Sequence, residues 1–273
     1  MVLCKVRVGI GVMGMLFGVM GGTASAQGFQ RTCFTESNAG DALALRVDDQ
    51  GRYHLIRGAF ASGDILYTVM DPADLSANAV RTRTLERAAN RFPRQLLGAD
   101  LLLRDDEPAA CYFAGNRLRI ATLVENAWQI IDVAGGPELG DYCRLFVQDG
   151  EVGVLVQRDG VLQEGIQQPN GIWDFAIVDD VGLTGRNLHL YQADENHLVA
   201  IYQAEDVGRT RVAWRTPDVG WQTVELASDL AARSGESPRV VGVQGDEIYV
   251  ISGFEGTRDG QAPVADAGYL IGV

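Results

Sequence analysis

Three aspartates and one arginine stand an even number of residues before the acidic turns of this chain. Asp41 and Asp141 stand eight residues before Asp49 and Asp149, Arg186 eight before Asp194, and Asp100 six before Asp106. Every offset is even, and side chains two apart on an extended strand point to the same face. The four should therefore project from one side of their strands, near where each strand begins, and gather at one mouth. A ring of short carboxylates suits hydroxyl-rich sugars or a cation better than an anion. Two of them could also serve as acid and base in glycoside hydrolysis. Crowded aspartates repel one another and raise at least one pKa, which Arg186 would counter for its nearest neighbour. The plain alternative is that they cap strand ends by accepting backbone N–H bonds.

Little else carries chemistry. His54 and His197 begin equivalent strands, where a histidine commonly ties down a turn, and His189 lies within a strand. No His-Glu-x-x-His, Gly-x-Ser-x-Gly or phosphate-cradling glycine loop occurs. Residues 48–51 begin like a calcium loop but lack its spaced ligands and terminal glutamate. No catalytic residue, metal ligand or cofactor is therefore expected.

The first residues read as an address. Lys5 and Arg7 precede an uncharged apolar stretch over 8–20, and Thr23-Ala24-Ser25-Ala26 supplies the small residues a signal peptidase reads. Residues 1–26 are expected to be a signal peptide, because 8–20 is too short to span about 30 Å of hydrocarbon. The mature protein, 27–273, is expected in the periplasm or secreted, as a monomer with no membrane insertion. Export favours disulfides, and Cys33, Cys111 and Cys143 would remain, so at most one internal bridge can form. Formal net charge is −13 and falls by a further two once Lys5, the one lysine of the chain, leaves with Arg7. Such a surface repels phosphate backbones and anionic membranes, so nucleic acid is not an expected partner.

What must position these residues is a repeat. Trp128, Trp173 and Trp221 each open an apolar strand, 45 and 48 residues apart. Between them recur an inner apolar strand, an acidic turn and two further strands. Turns at Asp49, Asp106, Asp149, Asp194 and Asp246 count five units, and four strands at this period predict the blades of a β-propeller. The innermost strands, near 43–47, 101–103, 142–147, 188–191 and 240–243, are almost wholly apolar, which predicts burial on both faces. The fold class is all-β, a single five-bladed β-propeller of four-stranded antiparallel blades. The last unit stops after its third strand, so residues 29–34 should supply the fourth beside 268–273 and close the ring. A short helix is expected only near 84–93. Cys111 falls on a second strand and Cys143 on the next inner strand, so any disulfide should join Cys111 to Cys143.

The tryptophan strand, Gly-containing loop and Asp-x-x-Gly-type turn resemble the blades of secreted bacterial β-propeller repeat proteins, over nearly all of 27–273. The Trp-Asp and Gly-His pairs of the WD40 family are missing apart from Trp173-Asp174, and the Asp-box of sialidases is absent. The placing of Asp41, Asp100 and Asp141 is similar to that of the catalytic carboxylates at the channel mouth of five-bladed propeller glycosidases. These likenesses imply an exported binding or scaffold propeller recognising a glycan or a protein, without catalysis. A carbohydrate hydrolase and a structural assembly protein of the cell envelope stay open as alternatives.

Overall fold

The computed structural model describes residues 2–7, 30–35, 42–59, 62–71, 73, 80–87, 98–104, 107–136, 139–204, 209–226, 239–244, 247–251 and 268–272. Among these there are strands and no helix. Strand β1 (Val2–Arg7) pairs antiparallel with β2 (Gln30–Thr35). The first large sheet is β3 (Ala42–Val47), β4 (Tyr53–Gly58), β5 (Ile65–Met70) and β6 (Val80–Glu86). The second is β7 (Asp100–Arg104), β8 (Glu107–Ala114), β9 (Arg117–Val124) and β10 (Ala127–Gly135). The third holds β11 (Leu139–Gln148), β12 (Glu151–Arg158), β13 (Val161–Gln167) and β14 (Trp173–Asp179). The fourth holds β15 (Thr184–Gln192), β16 (Leu198–Ala204), β17 (Arg209–Thr216) and β18 (Gly220–Glu225). The last has three strands, β19 (Arg239–Gln244), β20 (Glu247–Ile251) and β21 (Gly268–Gly272). All are antiparallel meanders in chain order.

Turn chemistry explains the strand breaks. Asp149-Gly150, Asp159-Gly160 and Glu125-Asn126 all take positive φ at both positions, the geometry of a two-residue hairpin whose twist matches its strands. At the first acidic turn the Asp48 carboxylate accepts the Gln50 and Arg52 backbone N–H groups at 3.0 and 2.7 Å and the His54 Nε2 at 2.9 Å. Burial alone would raise its pKa, but the hydrogen bonds from His54 and Arg52 outweigh this and hold it at about 2. His54 and, through Asp194, His197 thus serve turns.

The core lies between sheets rather than within one. Ile56, Tyr67, Tyr112 and Leu101 fill the first interface, Phe113, Leu118, Leu145 and Val156 the second, Phe146, Leu188, Tyr202 and Ala213 the third. Trp128 packs into the first, its ring edge-on to Tyr67 at 5.2 Å; Trp173 and Trp221 pack into the second and third. The repeated tryptophan is therefore an inter-sheet wedge. Polar clasps join the same interfaces. Glu86, ending β6, accepts from the Tyr112 hydroxyl at 2.7 Å and from Arg119. Two sheets on, Asp179, ending β14, accepts from Tyr202 and from Arg211. Burial first, then the adjacent carboxylate, pushes both phenols well above their ordinary range. At the interface between these two, Cys111 and Cys143 form a disulfide, their Cα atoms 6.3 Å apart.

Three expectations need correction. The strand buried on both faces is the second of each sheet, as in β8 and β16, not the innermost. Inner strands β7, β11 and β15 are only partly buried, and Leu45 of β3 is 43% exposed, because one side of an inner strand looks onto the axis instead of a neighbouring sheet. The N-terminal strand does not lie beside Gly268–Gly272: β2 pairs with β1, and β21 is the edge of a three-stranded sheet. Residues 2–7, present in this chain, offer β2 a local partner at lower loop-closure cost than one more than 230 residues away. Of the helix expected near 84–93, residues 84–86 are strand, continuing the ladder with β5, and 88–93 lie outside the described residues.

Two outcomes follow for stability. Replacing Cys111 and Cys143 by alanine together should lower unfolding free energy by about 3 kcal/mol, read by urea denaturation. Asp179→Ala should cost about 3–5 kcal/mol, since it strands buried Arg211 and the Tyr202 hydroxyl; a loss under about 1 kcal/mol would show that the clasp is dispensable.

Candidate functional site at the axis

Each inner strand abuts the next: β3 lies against β7, β7 against β11, β11 against β15 and β15 against β19. A linear stack would keep the first and fourth sheets about 30 Å apart at about 10 Å per sheet. Yet Arg46 of β3 lies close enough to His189 of β15 to depress its titration. The inner strands therefore wrap an axis. They are entered from connections that range from 136–138 and 180–183 to 87–99 and 226–238, and left through short acidic turns.

The polar groups that converge there come one from each inner strand: Arg46, Asp100, Arg144, His189 and Arg239. Asp100 is buried; its Oδ1 accepts from Arg46 Nη2 at 2.8 Å and its Oδ2 from the Leu145 backbone N–H at 3.0 Å. Arg144 Nη1 donates to the carbonyls of Gly98 and Cys143, at 3.0 and 2.6 Å. Gly98 is required for that approach, because a Cβ there would sit 1.8 Å from the Asp141 carbonyl oxygen. Burial, then the like charges of Arg239 and Arg46, depresses the Arg144 guanidinium, while Asp100 opposes them. His189 Nδ1 accepts the Val240 backbone N–H at 3.2 Å, which places the neutral ring's hydrogen on Nε2. Burial first, then Arg239, Arg144 and Arg46, holds its pKa at about 3, so the ring is neutral at pH 7.

The residues expected from the sequence do not form one ring. Asp41 lies outside the described residues. Asp141 and Arg186 are exposed and meet at Tyr142, whose phenol is raised by burial, lowered by Arg186 and raised by Asp141. Asp100 sits on another level, joined to Leu145, while Tyr142 bridges to Gly98. The reason is register. Arg104 pairs with Glu107 as Gln148 pairs with Glu151, so residues 105–106 match 149–150, and Asp105 rather than Asp106 is the counterpart of Asp149. A slip of one residue reverses the face. Asp100 is the counterpart of Arg144, five residues before its turn, and His189 keeps the same step from Asp194. That odd step was the signal for the axial set.

The arrangement is cationic, although the whole chain is acidic. It offers fixed donors and one carboxylate already engaged on both oxygens. Among the described residues no three His, Cys, Asp or Glu side chains gather closely enough to hold a metal. A cavity of about 550 Å³ lies at the other end of the inner strands, lined by Leu103, Arg104, Glu107, Val147 and Glu195.

No protein family model matches the sequence, and no curated protein matches it. Solved structures do share its fold. Virginiamycin B lyase from Staphylococcus aureus, crystallised with quinupristin, aligns over 88% of this chain and 72% of its own at 9% identity, with a TM-score of 0.51. A protein from Lactobacillus plantarum aligns over 85% and 70% at 8% identity, TM-score 0.52. A 6-phosphogluconolactonase-like protein from Bacteroides fragilis aligns over 83% and 68% at 12% identity, TM-score 0.50. These likenesses make the fold propeller-like, and at such identity they extend to the fold alone.

The histidine makes a pH test. Unfolded, it binds a proton below about 6.5; folded, it does so only near 3. Its contribution to stability is therefore complete above about pH 6.5 and is lost as pH falls toward 3. Urea denaturation at pH 7 and 4.5 should show a larger fall for the wild type than for His189→Gln.

Proposed function

We propose that the chain is an exported propeller of five blades that binds a ligand at its axis and does no chemistry on it. The ligand is a glycan or a segment of a partner protein, met at the mouth where the inner strands begin. The observation carrying this reading is the convergence of one polar side chain from each of five inner strands, Arg46, Asp100, Arg144, His189 and Arg239. Loops from every blade reach such a mouth, so a ligand there is held from several directions. Asp141, Tyr142 and Arg186 form part of its outer wall. A hydrolase is the second reading, favoured only by the carboxylates of that wall; at the axis itself Asp100 is engaged by Arg46 and by Leu145, which leaves no free acid–base pair.

The same reading includes processing and closure. Once residues 1–26 are removed, β2 loses the strand it pairs with, and β21, which has one partner strand among the described residues, offers an edge that fits it. Every other large sheet has four strands.

A glycan array probed with the exported chain should give hits that disappear in an Asp41→Ala, Asp141→Ala, Arg186→Ala variant whose melting transition is nearly unchanged. Release of reducing ends from a bound glycan would replace this reading by the hydrolase. Deleting residues 27–35 from the exported chain should lower its melting temperature; an unchanged transition would leave β2 outside the ring.

A further inference from the structure

Three features stand apart from the turns, clasps and wedges described above: the cavity at the turn-side mouth, the apolar outer strands, and the donors at the axis. The first is polar and shallow, and nothing seats on the second. The third has unmet chemistry. Arg144 has no carboxylate in ion-pair range among the described residues, and Nη1 is its one guanidinium nitrogen with a partner. On the next strand His189 accepts through Nδ1, and its Nε2–H has no acceptor among the described residues. The two lie level along the axis: Gln192 of β15 exchanges hydrogen bonds with Val147 of β11 at 3.0 and 2.6 Å, and each residue stands three positions before its partner in that pair. A guanidinium fork and an imidazole N–H thus stand level on neighbouring inner strands, inside the positive field of Arg46 and Arg239.

We infer that these two donors bind the carboxylate of a small acidic ligand, with Arg144 and His189 Nε2 donating to its oxygens; this rests on axial binding as proposed above. Charge selects the anion. Arg46 is already paired with Asp100. His189 carries no charge, so Arg144 is the cation beside it, and Asp100 offsets part of its charge. One negative charge meets the remainder; a phosphate dianion would bring nearly two. Planarity agrees, since a guanidinium meets a carboxylate through two parallel hydrogen bonds. A neutral sugar brings no charge to meet the guanidinium of Arg144. The acidic surface does not oppose entry, because charges more than about 8 Å away are screened at physiological salt while a desolvated pair is not. An acidic sugar, a uronate, combines this anchor with hydroxyls for Asp141 and Tyr142 at the wall.

Isothermal titration of the exported chain with galacturonate, galactose and inorganic phosphate tests the assignment. Galacturonate should bind at least tenfold more tightly than galactose or phosphate. Arg144→Lys should erase most of that difference, since an ammonium cannot supply the fork yet still reaches the Gly98 carbonyl. His189→Met, which removes the Nε2 donor, decides the matter if the lysine variant fails to fold. Equal binding of galacturonate and galactose, or a preference for phosphate, overturns the inference and leaves axial binding standing. Glycan recognition unaffected by any axial or mouth substitution overturns both.

Discussion

No sheet in this protein can bury both of its faces alone; each does so only against the sheets before and after it. That constraint organises everything else. The apolar clusters lie between sheets, the tryptophans drive into those interfaces, and the disulfide and the carboxylate clasps cross them. Stacking right-twisted sheets face to face turns each relative to the last, so the stack bends round an axis. The inner strands are then the elements deprived of a neighbour on one side. Their partial exposure is the cost of the architecture, and it is what makes a site possible.

The clasps show how the interfaces tolerate polar groups. Glu86 and Asp179 each end an outer strand, and each is met by a tyrosine and an arginine from the following sheet. A buried carboxylate is costly unless its oxygens are satisfied. Here a phenol and a guanidinium from two adjacent strands satisfy them together. The interface between those two uses Cys111–Cys143 in the same office. The alternation suggests one mechanical need, holding successive sheets at a fixed angle, met by different chemistry. Fixed angles matter at the axis, because Arg46 reaches Asp100, and Asp100 reaches Leu145, across sheet boundaries.

Electrostatics at the axis runs against the character of the chain. A strongly acidic protein concentrates arginines along its inner strands and keeps a histidine neutral among them. Burial and like charge both oppose protonation of His189, and both disfavour the charge of Arg144. Packing, backbone carbonyls and the one ion pair of Arg46 with Asp100 hold the arrangement in place.

Most strands were legible because local rules decide them. Alternation and aromatic content mark a strand, and Asp-Gly pairs mark hairpins that end it, so most connections inside the four-stranded sheets could be placed from residues close in the chain. The tryptophan period showed that the units were alike, and the position of Cys111 and Cys143 on successive units showed that they could meet. The placing of Asp100 turns on an equally local matter. Choosing Asp106 in place of Asp105 as the turn anchor slipped the second unit by one residue, and in a strand one residue exchanges the two faces. Asp100 was thereby grouped with Asp141 and Arg186 instead of Arg144. Sequence alone determined the strands, their order and the repeating unit, because these depend on neighbours within about ten residues. Only the tertiary structure decided which side of each inner strand faces the axis and that Arg46 stands beside Asp100, 54 residues away. Those relations depend on how sheets turn against one another, and no short-range pattern encodes that angle.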